Sequence, residues 1–382
     1  MSPTSEGLSS AVFSSLLERA RASGKHVYPL HVGDTYLAPV FEAQAEAQRA
    51  AEIPRLHNYP GVHGVPELLR ALAARISARG DRPIDVGQVQ VVAGATSGLS
   101  VLFQTVLDPG DEVLLLAPYW PLVRGIVASR GGVPVEVPFF DRVGAEGFDA
   151  EAALEAAVSP RTVALYVNSP HNPTGHVLDR STMDALARVA TRHNLWIVSD
   201  EAYEDFWYTE TRPEPVWNHP GLRERTVAAH TFSKGYGLAG GRVGYLHGPG
   251  EIIAKLRSVH TFQAYCAPHP MQWSALRALE HGDAWIAKAR SAYAEAGRRA
   301  AAALGVPAPA GGTFIFFDAR PYLRSGEDMR GLLERCVDGG VLLTPGGASG
   351  RDYESFIRLC FTSVEPGALD DALQRLRTVL GR

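Results

Sequence analysis

The 382-residue sequence predicts an α/β protein, with a large domain built on a mostly parallel sheet covered by helices and a smaller α/β domain at the C-terminus. Short apolar runs alternate with helical segments from about residue 88 onward, and polar or glycine-rich signals directly follow those runs. This alternation is typical of a parallel sheet with helices on both faces. The content of 46% hydrophobic and 20% charged residues is ordinary for a globular chain.

Residues 1–45 are predicted to form an N-terminal arm that joins the smaller domain. Within residues 11–23, Val12, Leu16 and Leu17 lie on one helical stripe, which indicates a helix. The segment "HVYPLHVGDTYLAP" then predicts a short strand and a glycine turn. Next, "PELLRALAARISAR" has proline in its first turn and arginines near its end, as helices often do.

Residues 46–280 are predicted to form the large domain. The apolar runs are "VQVVA", "EVLLLA", "TVALYVN", "LWIVSD", "TVAAHTF" and "VGYLH", with helical segments such as "STMDALARVATRH" between them. The signals after successive runs are Gly94 to Ser97, Trp120, Asn172, Asp200 with Tyr203, and Lys234. Because parallel strands end at one edge of a sheet, we expect these loops to form one site.

Residues 281–382 are predicted to form the smaller domain. The segment "AWIAKARSAYAEAGRRAAAAL" indicates a long helix, and "MRGLLERCVDGG" and "ALDDALQRLRTVLG" indicate two more. Strands are predicted in "GTFIFFDA", "VLLTPG" and "FIRLCFT".

Charge, hydropathy and metal-ligand patterns argue against several classes of function. A net charge of −4 gives no electrostatic case for nucleic acid or an anionic membrane surface. No apolar run is long enough for a bilayer, and no secretory signal is recognisable, so a cytoplasmic location is expected. The three cysteines and the histidines lack metal-ligand spacing, so no metal site is predicted.

The stretch "HTFSKGYGLAGGRVGY" places Lys234 near Arg242 in a glycine-rich turn. A nearby cation or dry surroundings lower the pKa of a lysine and make it a nucleophile, and an arginine fork can also hold phosphate. Gly94 to Ser97 begin a helix, whose free N–H groups bind phosphate. Asp200 ends an apolar strand, where a carboxylate needs a partner such as a protonated ring nitrogen. These parts together describe a site for pyridoxal 5′-phosphate.

Four motifs carry a resemblance to a known family. They are "NSPHNPTG" (168–175), "SDEAYEDF" (199–206), "TFSKGYGLAGGRVGY" (231–245) and "FIRLCF" (356–361). In their order and spacing the chain resembles a fold-type I pyridoxal-phosphate-dependent enzyme of the class I/II aminotransferase family, over nearly its whole length. The resemblance implies the PLP-dependent transferase fold and transfer of an amino group from an α-amino acid to a 2-oxo acid.

The resemblance also implies the roles of the residues around the cofactor ring. Lys234 would form the aldimine with pyridoxal phosphate and move the substrate's Cα proton. Asp200 would pair with the pyridinium nitrogen. Asn172 and Tyr203 would hydrogen-bond the phenolic oxygen, and Trp120 would stack on the ring.

Further roles follow from the same resemblance for the phosphate and the substrate. Ala95, Thr96, Thr231 and Arg242 would hold the phosphate. Tyr59 would reach the phosphate of a neighbouring subunit, which implies a homodimer with shared active sites. Arg358 would clamp the substrate's α-carboxylate, and Gly33 and Asn172 would lie beside it.

Several alternatives stay open at this point. The same lysine and ring could serve a β-elimination lyase or a cyclase acting on a β-substituted amino acid. A regulator without turnover is a third class, although the short stretch before "HVGD" leaves little room for a DNA-binding segment. Arg358 alternates with Ile357 and Leu359, which by itself predicts an exposed side chain. Gly241 stands where the family commonly has tryptophan, and this change could open space near the site.

Overall fold

The structure is a computed structural model that describes residues 14–382, so Val12 of the predicted arm helix lies outside the described residues. The strands are β1 (Tyr28–Pro29), β2 (Val89–Val92), β3 (Glu112–Ala117), β4 (Val133–Pro138), β5 (Thr162–Asn168), β6 (Trp196–Asp200), β7 (Thr226–Thr231), β8 (Gly244–His247), β9 (Phe314–Asp318), β10 (Val341–Leu342), β11 (Thr344–Pro345) and β12 (Phe356–Cys360). The helices in the first two thirds of the chain are α1 (Ser14–Ala22), α2 (Pro66–Arg79), α3 (Ala95–Val106), α4 (Pro121–Ala128), α5 (Ala150–Glu155), α6 (Arg180–Arg192), α7 (Phe232–Gly235) and α8 (Gly250–Gln263). The remaining helices are α9 (His269–His281), α10 (Asp283–Leu304), α11 (Met329–Asp338) and α12 (Pro366–Leu380).

The central sheet has seven strands in the order β2-β8-β7-β6-β5-β3-β4. The five neighbouring strands β7, β6, β5, β3 and β4 pair in parallel, whereas β8 runs antiparallel to both of its neighbours, β2 and β7. Every residue of β3 is buried, as expected for a strand covered on both faces. The prediction of a mostly parallel sheet covered by helices is therefore confirmed.

Residues near the two ends of the described chain share one hydrophobic core. Leu16 of α1 and Leu30 after β1 belong to the same buried cluster as side chains of α10, α11 and α12. Strand β1 also pairs with β10 in parallel. The segment "VLLTPG", predicted as one strand, forms two short strands in different sheets, because β11 joins the antiparallel sheet β11-β12-β9.

Within residues 14–382, no helix has both the length and the apolar character needed to cross a membrane. The sheet topology places the C-terminal ends of β2, β3, β5, β6 and β7 along one edge. The loops that leave this edge carry most of the polar signals picked out in the sequence.

Candidate active site

A cavity opens at that edge of the central sheet. The structure brings together there every site residue predicted from the sequence except Tyr59. The lining residues are Gly33, Ala95, Thr96, Leu99, Trp120, Asn168, Asn172, Asp200, Ala202, Tyr203, Thr231, Ser233, Lys234, Ala239, Arg242, Phe314 and Arg358. Five strand ends and two segments of the C-terminal sheet therefore contribute to one site.

Lys234 lies in α7, a single helical turn directly after β7. The side chain of Thr231 caps this turn by accepting a hydrogen bond from the Ser233 N–H at 3.1 Å. The Lys234 amine donates to the carbonyl of Gly33. Burial lowers the pKa of the Lys234 amine, and the cations Arg242 and Arg358 lower it further, against the opposing effect of Asp34. The amine is thus held in the cavity with a raised fraction of its nucleophilic form.

The first turn of α3 lies beside a guanidinium group. Gly94, with φ of 82°, precedes the helix, and no side chain caps the free N–H groups of its first turn. The Arg242 guanidinium lies against this turn, because a Cβ built on Gly94 would be only 2.5 Å from Arg242 Nη2. Arg242 itself has a left-handed backbone, with φ of 48°, and Nη1 donates to the Ala239 carbonyl at 2.8 Å. A helix N-terminus beside a guanidinium is well suited to a phosphate group.

Asp200 is the last residue of β6 and is buried. Its Oδ1 accepts from the Ala202 N–H at 3.0 Å, and its Oδ2 accepts from the Tyr166 hydroxyl at 2.6 Å. The Asn168 amide donates to the Asp200 carbonyl at 2.8 Å and so fixes the end of the strand. Burial raises the pKa of Asp200, while these hydrogen bonds and the nearby side chains of Lys234 and His230 oppose the rise.

Arg358, Asn172 and Tyr203 form a connected chain of side chains. Arg358 Nη1 donates to Asn172 Oδ1 at 3.0 Å, and Asn172 Nδ2 donates to the Tyr203 hydroxyl at 3.3 Å. The Arg358 guanidinium lies 4.4 Å from the centre of the Phe314 ring, and its buried Nε makes no hydrogen bond. The exposure suggested by the alternation of "IRL" is wrong: Arg358 is 6% exposed, because this face of β12 borders the cavity.

Of the four charged groups in the cavity, Asp200 and Arg358 are buried, Lys234 is half-buried and Arg242 is exposed. In the part of the chain that the structure describes, no salt bridge reaches Lys234, Asp200, Arg242 or Arg358. Isolated buried charges are costly, and proteins normally pair them. An amine, a carboxylate and two guanidinium groups that converge without pairing therefore point to a ligand with complementary groups. An anion, a protonated ring nitrogen and a carboxylate would satisfy them.

Tyr59 and Gly241 lie away from the cavity wall. Tyr59 is 81% exposed, and its ring centre lies 5.2 Å from that of Tyr265. The space expected beside Gly241 is partly taken by Met271, whose Cε would be 2.6 Å from a Cβ at that position. Met271 of α9 thus fills part of the space beside Gly241, the position where the family commonly has tryptophan.

Three residues at the site carried no clear signal in the sequence. Phe314 lines the cavity from β9, and Tyr166 lies within an apolar run that gave only a strand prediction. Asn168 begins the motif "NSPHNPTG" but was given no role of its own. Asn168 could have been noticed, since it ends its strand as Asp200 ends the next one. Tyr166 could not, because an aromatic residue inside a strand is usually part of the core.

Comparison with known proteins gives one consistent result. The family model described as "Aminotransferase class I and II" matches residues 25–376. The aspartate/prephenate aminotransferase of Thermus thermophilus is 36% identical over 352 residues, covering 88% of this chain and 87% of that protein. The arginine–pyruvate transaminase of Pseudomonas aeruginosa is 32% identical, covering 88% of this chain and 86% of that protein.

Solved structures agree with these sequence relatives. The N-succinyldiaminopimelate aminotransferase of Mycobacterium tuberculosis superposes with a TM-score of 0.90 at 29% identity, covering 99% of this chain and 100% of that one. An aspartate aminotransferase of Thermus thermophilus with maleate superposes with a TM-score of 0.88 at 31% identity, covering 99% of each chain. Since both the family model and the structures span nearly the whole chain, the fold-type I architecture and the resemblance seen in the four motifs are confirmed, and this protein belongs to the class I and II aminotransferase family.

Proposed function

We propose that the cavity binds pyridoxal 5′-phosphate and that the enzyme uses it to transfer an amino group from an α-amino acid to a 2-oxo acid. The observation that carries this proposal is the convergence of Lys234, Asp200, Arg242 and Arg358 in one cavity without salt-bridge partners among residues 14–382. The cofactor and its substrate have one complementary group for each of these side chains: an aldehyde, a ring nitrogen, a phosphate and a carboxylate.

The family resemblance and the lining of the cavity together support a role for each residue that would hold the cofactor. Lys234 would bind the aldehyde carbon, and Asp200 would face the ring nitrogen. Asn172 and Tyr203 would contact the phenolic oxygen, and Trp120, half-buried at the start of α4, would cover a ring face. The phosphate would lie at the N-terminus of α3, held by Ala95, Thr96, Thr231 and Arg242.

The catalytic work of the chain itself is positioning and proton transfer. Bound pyridoxal phosphate withdraws electrons from the substrate's α-carbon and so weakens its Cα–H bond. Lys234 would take the proton from the substrate's Cα and deliver it to C4′ of the cofactor, a task suited to an amine whose pKa is lowered. Arg358 fixes the substrate through its α-carboxylate, for which the guanidinium offers a bidentate fork. Gly33 lies beside this position, where a Cβ would collide with the Phe314 ring at 2.5 Å.

We also propose that the chain divides as the sequence suggested and acts as a homodimer. Residues 46–280 would form the cofactor-binding domain, and residues 1–45 and 281–382 the smaller one, as the core shared by Leu16, Leu30 and α10 to α12 supports. The exposed aromatic pair of Tyr59 and Tyr265 supports a surface that a second copy covers. Tyr59 would then reach the phosphate in the partner's site.

The cofactor proposal is tested by reconstitution. We expect the purified protein with pyridoxal phosphate to show an absorbance band near the visible edge. Borohydride should remove this band and leave the label on Lys234, as peptide mass spectrometry would show. A Lys234→Ala protein should show no borohydride-stable label, whereas Lys255→Ala, which changes an exposed lysine of α8, should label normally. A label on another lysine, or none, would refute the proposal.

Product analysis distinguishes transfer from elimination or cyclisation. With a panel of amino acids and either pyruvate or 2-oxoglutarate, we expect each oxo acid formed to be matched by one acceptor aminated. Ammonia or a cyclic product released without an acceptor would favour the lyase or cyclase instead. For the dimer, mixing Tyr59→Ala and Lys234→Ala proteins should restore activity that neither has alone, because one site of the mixed dimer is intact.

A further inference from the structure

Tyr166 lies deep in the central sheet, two residues before the end of β5. It is 2% exposed and belongs to the core cluster that also contains Val198 and Ala229. Residues two apart on a strand point to the same face, so Tyr166 and Asn168 share a face of β5. The parallel register sets Asn168 opposite Asp200 and Tyr166 opposite Val198. Two side chains on one face of β5, Tyr166 and Asn168, therefore contact Asp200 at the end of β6.

The Tyr166 hydroxyl makes one specific contact, with Asp200 Oδ2 at 2.6 Å. A phenylalanine would fill the same apolar space, so the hydroxyl is what distinguishes this side chain from ordinary core. Burial and the negative charge of Asp200 raise the pKa of the Tyr166 phenol well above its usual range. The phenol consequently stays protonated at physiological pH and acts only as a donor to the carboxylate.

We propose that Tyr166 is a positioning residue for the aminotransferase reaction, which holds Asp200 as an oriented carboxylate so that the proton shared with the cofactor stays on the ring nitrogen. This inference rests on the proposed binding of pyridoxal phosphate. The phenol is one of two donors to the Asp200 carboxylate, the other being the Ala202 N–H on Oδ1. Lys234 and His230 also favour the charged form of Asp200. The buried neighbours Glu201 and Tyr203 act in the opposite sense, since the negative charge of Asp200 raises the pKa of both.

The direction of the effect follows from hydrogen-bond energetics. A hydrogen bond to an ionised carboxylate stabilises the charged form relative to the neutral acid. Without the phenol, the buried Asp200 would hold a proton more tightly, and a proton shared with a ring nitrogen would shift toward the carboxyl group. The ring would then withdraw electrons less strongly, and Cα proton removal would slow.

Tyr166→Phe tests this inference in the protein without cofactor. In apoprotein labelled with ¹³C at aspartate carboxyl carbons, and with the Asp200 signal assigned by Asp200→Asn, we expect the Asp200 pKa to rise by about one unit in Tyr166→Phe. Tyr353→Phe is a matched control, because Tyr353 is also a buried phenol that donates to a carboxylate, Asp141 Oδ1 at 2.7 Å, outside the cavity. This control should leave the Asp200 titration unchanged.

The loaded protein supplies the second measurement. With pyridoxal phosphate labelled with ¹⁵N in its ring, we expect the Tyr166→Phe signal to move toward that of a neutral nitrogen and kcat to fall by about tenfold. The Tyr353→Phe signal should match the wild type. Replacing Tyr166 with 3-fluorotyrosine strengthens the donor, so it should shift the Asp200 pKa in the opposite direction even if Tyr166→Phe folds poorly.

The two proposals fail in different ways. If neither change at position 166 alters the pKa of Asp200 in the apoprotein, and pyridoxal phosphate still binds to Lys234, only the role of Tyr166 is overturned. An unchanged ring-nitrogen signal in loaded Tyr166→Phe would overturn it as well. A shifted Asp200 titration in a protein that forms no adduct at Lys234 would instead overturn the cofactor proposal, while the link between Tyr166 and Asp200 would remain.

Discussion

Two sets of ionisable side chains share the loops after β6 and at the end of β7, and within residues 14–382 only one of them is joined by salt bridges. The cavity charges are Lys234, Asp200, Arg242 and Arg358. The second set, called the ion cluster here, consists of Arg75, Arg79, Glu204, Asp205 and His230. In the ion cluster Arg79 contacts both Glu204 and Asp205, Arg75 Nη2 lies 3.1 Å from Asp205 Oδ2, and His230 Nδ1 lies 2.9 Å from Glu204 Oε1.

The contrast separates structure from function. Glu204 and Asp205 directly follow Tyr203, and His230 directly precedes Thr231, so both sets use the same two loops. Side chains joined by salt bridges hold these loops in position, whereas charged side chains without a salt bridge are available to a ligand. The salt bridges of the ion cluster thus stabilise the two loops that carry the cavity residues.

The largest expected effect concerns the cavity amine. Lys234→Ala removes the nucleophile and the group that moves the Cα proton, so we expect the rate of amino-group transfer to fall by at least about 1000-fold. The measurement is the initial rate of oxo-acid formation, and Lys255→Ala should retain the wild-type rate. A Lys234→Ala enzyme within tenfold of wild type would exclude this lysine from catalysis.

Breaking the ion cluster should cost stability instead. Arg79→Met leaves Glu204 and Asp205 without their shared buried partner, and we expect the free energy of unfolding to fall by about 3–5 kcal/mol. Urea denaturation of the apoprotein measures this change. Arg82→Met provides the control, since its salt bridge with Glu224 lies at the surface and should contribute no more than about 1 kcal/mol. Equal losses from both variants would mean that burial of the cluster is unimportant.

Removal of a cavity charge should reduce activity more than it reduces the stability of the apoprotein. Arg358→Met deletes a buried guanidinium that has no salt bridge within residues 14–382 but donates to Asn172 Oδ1 at 3.0 Å and to the His31 carbonyl at 3.1 Å. The desolvation cost of the charge is removed together with these hydrogen bonds, so we expect the apoprotein to lose less stability than Arg79→Met does. In contrast, kcat/KM for amino acids should fall by about 100-fold, because the α-carboxylate loses its charged partner. Arg351→Met removes an exposed side chain that forms a salt bridge with Glu136 away from the cavity, so it should leave kcat/KM unchanged and alter stability by no more than about 1 kcal/mol. An apoprotein destabilised as much as Arg79→Met would show that Arg358 is structural.

The smallest expected effect is a pH dependence at the edge of the cavity. Burial and the nearby Arg358 lower the pKa of His31 from 6.5 to about 4, so the folded state binds this proton less readily than the unfolded chain. The stability due to neutral His31 is therefore complete above pH 6.5 and is lost as the pH falls toward 4.

His31→Asn should reduce that loss by about 1–3 kcal/mol between pH 6.5 and 4, as measured by urea denaturation. His281→Asn, at an exposed position on α9, should leave the pH profile of stability unchanged. A wild-type profile that is flat from pH 6.5 to 4 would contradict the assignment.

The sequence predicted the cavity set better than the ion cluster, for physical reasons. Lys234, Asp200 and Asn172 each follow an apolar run, and parallel strands bring their ends together, so local patterns were enough. Arg79 looked like an ordinary basic residue in the last turn of a helix, where the helix dipole also favours it. Its pairing with Glu204 depends on how α2 packs, which no local pattern encodes. The contact of the Tyr166 hydroxyl with Asp200 also depends on how two strands pair, so the sequence around Tyr166 predicted only a strand.

The approach of Arg242 to Gly94 has a consequence for engineering. Any library that varies residues around the cavity should hold position 94 fixed. Even alanine there would have to adopt a backbone conformation with φ of 82° and would place its methyl 2.5 Å from the guanidinium nitrogen. The guanidinium of Arg242 would then have to move away from the first turn of α3, where we propose that the phosphate binds. Positions 94 and 242 should accordingly be varied together or left alone.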